Sequence, residues 1–283
     1  MSNHYSNHNW MASTPAIDTL SLSELSLPGT HNAGSDWKAS YGLLTPRHFV
    51  ACQHDSFYAQ LNHGSRALDL RFVCMPKTQG IKKFRLHHGG FLSSRTLEDL
   101  LTDVRKFLSA NPDEFIILDC HELSESEGDF DAKMFSDTIK DYIGPLVIRK
   151  GDAHQSLAKL KQASALRRIL LAAPTHPDLD YELFTRQVHH QWNGTAAKSH
   201  ATLKDYIGEV INDPPGKWSP WSLSAAAYFK LGGPVDIHDE LDIWFDPTKN
   251  NWAAQCNIIN VDFMEESKIV DYCRTANLAK VQR

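Results

Sequence analysis

No stretch of this 283-residue chain approaches the eighteen or so consecutive apolar residues that a membrane-spanning helix requires. There is no surplus of positive charge: 29 Lys and Arg stand against 34 Asp and Glu, for a net charge of −5. Nucleic-acid binding, which usually needs a basic footprint, therefore has no support, and neither does broad electrostatic adhesion to anionic membranes. Cysteine is scarce. Cys52, Cys74, Cys120, Cys256 and Cys273 are odd in number and contain no CxxC. That argues against a disulfide framework or a zinc ribbon and leaves buried free thiols. Phosphate loops of the GxGxxG or Walker A kind are missing, as are internal repeats and any linker rich in Pro, Gly or Ser. The N-terminus, MSNHYSNHNWMASTPAID, has neither a basic n-region nor an apolar h-region, so it does not read as a secretory signal. The expectation is a disordered polar tail over residues 1–18 and a single domain over 19–283. Such a chain is cytoplasmic, or exported after loss of a signal, or exported by a route that uses none.

What is present is an ordinary globular composition, with 42% hydrophobic and 22% charged residues. Short apolar runs fall at 22–29, 67–73, 84–89, 114–123, 167–174, 186–193, 218–225 and 256–264. Amphipathic patterns of helical period occupy about 49–62, 96–109, 131–143, 155–163, 199–211 and 266–279. The acidic stretch 124–131 reads as a solvated loop. Repeated strand-then-helix order implies a parallel sheet with helical crossovers. Eight candidate strands favour an α/β fold with a single (β/α)8 TIM-type barrel, irregular in places.

A barrel of that kind builds its active site at the C-terminal ends of its strands. Those ends carry His31 and Asn32 after the first run, and Asp69 and Arg71 on the second, where alternation points both the same way. They carry His87-His88-Gly89 on the third, Asp119, His121 and Glu122 on the fourth, His189, His190 and Gln191 on the sixth, and Asp262 on the last. Two histidines can share the base and acid roles that phosphodiester cleavage by an internal hydroxyl demands. An arginine fork suits the phosphoryl oxygens.

Leu27-Pro28-Gly29-Thr30-His31-Asn32 resembles the opening motif of the phosphatidylinositol-specific phospholipase C X-domain superfamily. Gln53, Gln60, Gly64, Arg66, Asp69 and Arg71 resemble its second block, and Leu86-His87-His88-Gly89 its third. Phe107, Leu108, Asn111, Pro112, Glu114 and Ile116-Ile117-Leu118 resemble the fourth. The resemblance covers about residues 20–123 well, and the last strand beyond them. It implies an irregular TIM barrel in which His31 is the general base, His88 the general acid and Arg71 the phosphate ligand. It further implies that Asp262 pairs with the base and that Asp69 lies near the acid histidine.

Two departures stand out. Asn32 replaces the aspartate of bacterial, metal-independent members and matches a calcium ligand of eukaryotic ones. Those, however, have acidic residues at Arg71 and His121, and a guanidinium opposes a cation site. No cofactor is therefore expected; calcium held by Asn32 and Asp69 is the alternative. The lysine and arginine that hold inositol in bacterial members correspond here to His121 and to Ala173 or Pro174. His121, His190, Gln191 and Trp192 are the candidate substrate-binding residues, with ring stacking and a hydrogen bond to a sugar as their use. The paired histidines also invite zinc, but no companion set shows clear ligand spacing. Trp218, Trp221, Trp244 and Trp252 read as core, with Trp244-Phe245 the best exposed rim. The resemblance implies a monomeric phosphodiesterase that meets phospholipid transiently at a membrane and yields diacylglycerol and inositol 1,2-cyclic phosphate. Two other readings stay open: a catalytically weak barrel that only binds a phosphorylated ligand, and a metal-dependent phosphodiesterase for another lipid headgroup.

Overall fold

The computed structural model describes residues 5–124, 129–194, 199–229 and 233–282. In chain order its strands are β1 Leu27–Thr30, β2 Ala67–Cys74, β3 Phe84–His88, β4 Phe91–Thr96, β5 Ile116–Ser124 and β6 Ile169–Ala173, then β7 Phe184–Arg186, β8 His189–Gln191, β9 Trp221–Ser224, β10 Ala227–Phe229, β11 Gly233–Val235 and β12 Ile258–Val261. The helices are α1 Phe57–Asn62, α2 Leu97–Ala110, α3 Ala132–Ile143, α4 Leu157–Ala163, α5 His200–Asn212, α6 His238–Trp244, α7 Trp252–Gln255 and α8 Ile269–Lys280. The middle of the expected acidic loop, 125–128, lies outside the described residues.

The sheet runs β7-β6-β5-β2-β1-β12-β9-β8, with every pair along it parallel. This is the irregular TIM-type barrel expected, with two changes. The 84–89 run is not a barrel strand. It becomes β3, pairs antiparallel with β2 and turns back as β4. The turn is Gly89-Gly90, with φ of 54° and 87°, and His88 opposite Phe91 across it. Two consecutive left-handed residues are what a tight two-residue hairpin requires, and glycine adopts them without steric cost.

The second change concerns closure. Only residues 187 and 188 separate β7 from β8, and a parallel pairing needs a crossover of a dozen residues or more. So β7 and β8 are two halves of one chain passage: the first half bonds β6 and the second bonds β9. Among the described residues the barrel is open between them.

Helix α2 shows how pattern becomes packing. Thr96 and Asp99 form a reciprocal capping box. Leu97, Leu100, Leu101, Val104, Phe107 and Leu108 are buried, all on the face the periodicity picked. Each contributes roughly 1.5–3 kcal/mol by leaving water.

Of the segment expected to be a disordered tail, the described residues 5–18 pack onto the fold. Trp10, Met11 and Ile17 are fully buried. Glu114 accepts hydrogen bonds from the Ala12 N–H at 2.7 Å and the Met11 N–H at 3.4 Å while pairing with Arg66 at 2.6 Å. A buried carboxylate needs such donors, and because they are the backbone N–H groups of residues 11 and 12, composition does not reveal them. The tryptophan expectations are also corrected in part. Trp244 and Phe245 are buried, so they form no rim, and Trp218, read as core, is 76% exposed.

Candidate active site

Gly29 sits where β1 crosses Asn260 of β12; a Cβ there would meet Asn260 Oδ1 at 2.2 Å. This close approach fixes the register that places Thr30 beside Val261. The strand then delivers His31 next to Asp262, with Nδ1–Oδ1 at 2.8 Å. Gln53 holds the corner by donating from Nε2 to the carbonyls of His31 at 2.9 Å and Val261 at 3.0 Å. With Nδ1 donating to Asp262, Nε2 of His31 is the lone-pair nitrogen. Asn32 turns away in a left-handed conformation, φ 44°, which asparagine tolerates. Its N–H donates to Asp69 at 3.2 Å, and its Nδ2 lies 3.0 Å from His31 Nε2.

Arg71 donates to both oxygens of Asp69, Nε to Oδ1 at 3.3 Å and Nη2 to Oδ2 at 3.0 Å. Burial would raise the Asp69 carboxyl, but the Arg71 guanidinium, helped by nearby imidazoles, holds it well below the ordinary carboxylate range. His88 lies at the hairpin tip, where Nδ1 donates to the Val50 carbonyl at 2.8 Å. Its Nε2 is thereby the nitrogen left for chemistry. Burial, then the His31 charge, lowers its pKa to about 4. The His31 and His88 rings stand edge to face with centroids 6.0 Å apart. His31, Arg71, His88 and Asp262 line one cavity of about 330 Å³, with Phe91, Trp192 and Tyr228 also in its wall. His87 lines a different cavity and has Nε2 3.7 Å from Glu122.

A second cluster lies one strand further along. Asp119 is the register partner of Asp69, and the pairing of β2 with β5 then slips by one residue, so that Arg71 sits opposite Glu122. His121 is the extra residue of that bulge, a feature that re-aims side chains beside functional sites. Its ring centroid lies 3.8 Å from that of His190. His190 is held from both sides: Nε2 meets Asp119 Oδ2 at 2.7 Å and Nδ1 meets Ser222 Oγ at 2.8 Å. Burial raises Asp119 to about 6 and lowers His121 to about 4.

Of the residues singled out from sequence, His31, Asn32, Asp69, Arg71, His88 and Asp262 come together. His121 and His190 form the second cluster, and Trp192 joins the first cavity. Gln191 does not join them. Strand alternation turns it with His189, whose Nε2 it meets at 3.4 Å. The sequence reading missed the Val50 carbonyl, Ser222 and Cys52, whose Sγ lies 3.6 Å from His88 Nδ1. A backbone carbonyl and a lone buried thiol leave no sequence signal; Ser222 follows Trp221 in a strand, and alternation alone places it inward.

Calcium does not fit the pair Asn32 and Asp69. Both Asp69 oxygens are taken by Arg71, whose charge lies where a cation would sit.

Residues 25–173 match the family model described as "Phosphatidylinositol-specific phospholipase C, X domain". A 1-phosphatidylinositol phosphodiesterase of Listeria monocytogenes is 26% identical over 212 residues, 74% of this chain and 61% of that protein. A variant-surface-glycoprotein phospholipase C of Trypanosoma cruzi is 35% identical over 134 residues, 45% of this chain and 33% of that protein. The matches thus span less than two thirds of those relatives' lengths. A solved phosphatidylinositol-specific phospholipase C from Listeria monocytogenes superposes with a TM-score of 0.74 at 19% identity, covering 96% of this chain and 99% of that one.

Proposed function

The chain belongs to the phosphatidylinositol-specific phospholipase C X-domain family, and from that premise we propose that it is a phosphodiesterase cleaving phosphatidylinositol-type lipids to diacylglycerol and inositol 1,2-cyclic phosphate. The observation that carries this reading is the pair of imidazoles, each anchored at Nδ1 by an oxygen, lining one cavity with Arg71. His31 takes the proton of the headgroup hydroxyl next to the phosphodiester, and Asp262 stabilises the imidazolium that forms. The freed oxygen attacks phosphorus in line. Arg71, held by Asp69, stabilises charge on the non-bridging oxygens. His88 gives its proton to the diacylglycerol oxygen as the P–O bond breaks. The lipid phosphate's own negative charge favours the protonated form of His88 at that moment. In a slower second step the roles reverse and water opens the cyclic ester.

The cavity rim fits a lipid surface. Phe91 is 48% exposed, Trp192 58% and Tyr228 39%, all around the opening. On a protein of net charge −5, such aromatic rings bring the site to a bilayer transiently and without electrostatic help. No helix among the described residues is long and apolar enough to cross a membrane. The same rim is compatible with a monomer.

A second reading, a headgroup other than inositol, draws support from His121 and from Ala173 or Pro174, the positions that correspond to the lysine and arginine holding inositol in bacterial members: an imidazole and an uncharged side chain stand there instead. One experiment addresses both readings. Vesicles of phosphatidylinositol and of other glycerophospholipids and sphingolipids are assayed for diacylglycerol release or its ceramide analogue, with and without excess chelator. The expected result is turnover of phosphatidylinositol that survives chelation. Activity confined to another headgroup, or a complete loss reversed by calcium alone, sinks this two-histidine mechanism.

A further inference from the structure

We propose that Asp119, His121 and His190 form a binding site for a divalent transition-metal ion, with one carboxylate oxygen and two imidazole nitrogens as ligands. One such atom from each residue lies within 4.8 Å of the other two. Two of the three residues come from β5 and the third from β8, so only the curled sheet assembles the set.

The hydrogen bonding of the cluster is incomplete in a way a metal would complete. Asp119 is buried, and only its Oδ2 is used, by His190. Its Oδ1 and the Nδ1 of His121 are buried with no hydrogen-bond partner among the described residues. Leaving such atoms unpaired costs about 1–3 kcal/mol each. A metal ion takes lone pairs from both. His190 already has the support expected of a ligand, because Ser222 Oγ bonds Nδ1 at 2.8 Å and leaves Nε2 for the ion. The ion would replace the proton now shared by Asp119 and His190, so binding releases protons. The cluster is no hydrolytic triad, since Ser222 is only 1% exposed.

The donor set decides the class of ion. Two nitrogens and one oxygen suit zinc, cobalt and their neighbours, and three protein ligands leave a coordination position open. Calcium, which takes six to eight oxygens, is disfavoured. A rival set, His31, Cys52 and Asp262, also lies within 4.8 Å. There His31 and Asp262 already satisfy each other, and burial pushes the Cys52 thiol well above its ordinary pKa, so its thiolate is withheld.

The test titrates metal-stripped, full-length protein with zinc chloride by calorimetry and with cobalt chloride by visible absorption. The expectation is one ion per chain, with proton release. Asp119→Asn and His190→Gln should each weaken zinc by at least about a hundredfold, and Ser222→Ala by roughly 10–100-fold as an outer-shell partner. His121→Ala, at a half-buried position, serves should the Asp119 variant fail to fold. Cys52→Ser should bind as wild type does. No zinc binding by folded wild type overturns the proposal. So does binding that survives Asp119→Asn, His190→Gln and His121→Ala, or that Cys52→Ser abolishes. The readout is binding, so the result is independent of whether the protein cleaves phosphatidylinositol.

Discussion

Two histidine clusters share the inside of this barrel, and they are satisfied to different degrees. In the first, His31 has Asp262, His88 has the Val50 carbonyl, and Arg71 has both oxygens of Asp69. Each partner fixes one face of its group; His88 Nε2 is left for a substrate, whereas a substrate at His31 Nε2 must displace Asn32 Nδ2, which lies 3.0 Å away. In the second, His190 is held twice while Asp119 and His121 each keep a buried atom unpaired. On the readings proposed above, the first cluster serves proton transfer and the second holds an ion. Asn32 Oδ1 in the first cluster is also buried without a partner among the described residues. The contrast therefore lies in the ionisable groups, which are paired in the first cluster and only partly paired in the second.

The sharpest way to break that contrast is to remove a ring from each side of it. His31→Ala and His88→Ala should each lower turnover of phosphatidylinositol vesicles by more than about a hundredfold, the usual scale for an acid or base. Their circular dichroism should be retained. His87→Ala, in the neighbouring cavity, should cost far less, and a loss as large as that of His88→Ala would move the acid role to it.

Burial of His88 gives a second handle, through stability. Its pKa is lowered to about 4 in the folded protein, against about 6.5 when unfolded. The unfolded chain then binds more protons between those values, so stability should be full above about pH 6.5 and fall as pH drops toward 4. The limit of the effect is on the order of 3 kcal/mol. Urea melts of wild type and His88→Asn across that window measure it; identical slopes would mean that His88 is not buried as described.

In the second cluster, Asp119→Asn should raise KM more than it lowers kcat, because it releases His190, a candidate substrate-binding residue, and leaves the proton path intact. Steady-state kinetics on mixed micelles give both numbers, and a kcat loss beyond about a hundredfold would erase the distinction between the clusters. The smallest effect is expected at Asn32. A carboxylate placed 3.0 Å from His31 Nε2 favours its protonated form. Asn32→Asp should thus move the acid limb of the pH–rate profile upward, with the maximum little changed. An unmoved limb would show that residue 32 does not touch the base.

The order of strands and helices was legible because apolar period is a local property, and α2 buries the face its spacing picked. The first cluster was legible nearly in full, since each member sits in a short motif: His31 after Pro28-Gly29-Thr30, Arg71 two residues from Asp69, His88 before Gly89. The order of the N-terminal segment was not legible, because it rests on Glu114, about a hundred residues away. Nor was the hairpin, because a barrel strand and an antiparallel one share the same alternation. What tertiary structure alone decided is the second cluster and the break in the barrel. A two-residue link splits one passage between two neighbours, and a one-residue slip in β5 sets His121 against a histidine from the far side of that break. Alternation in a sequence carries no record of a bulge, nor of which strand a chain will meet seventy residues later.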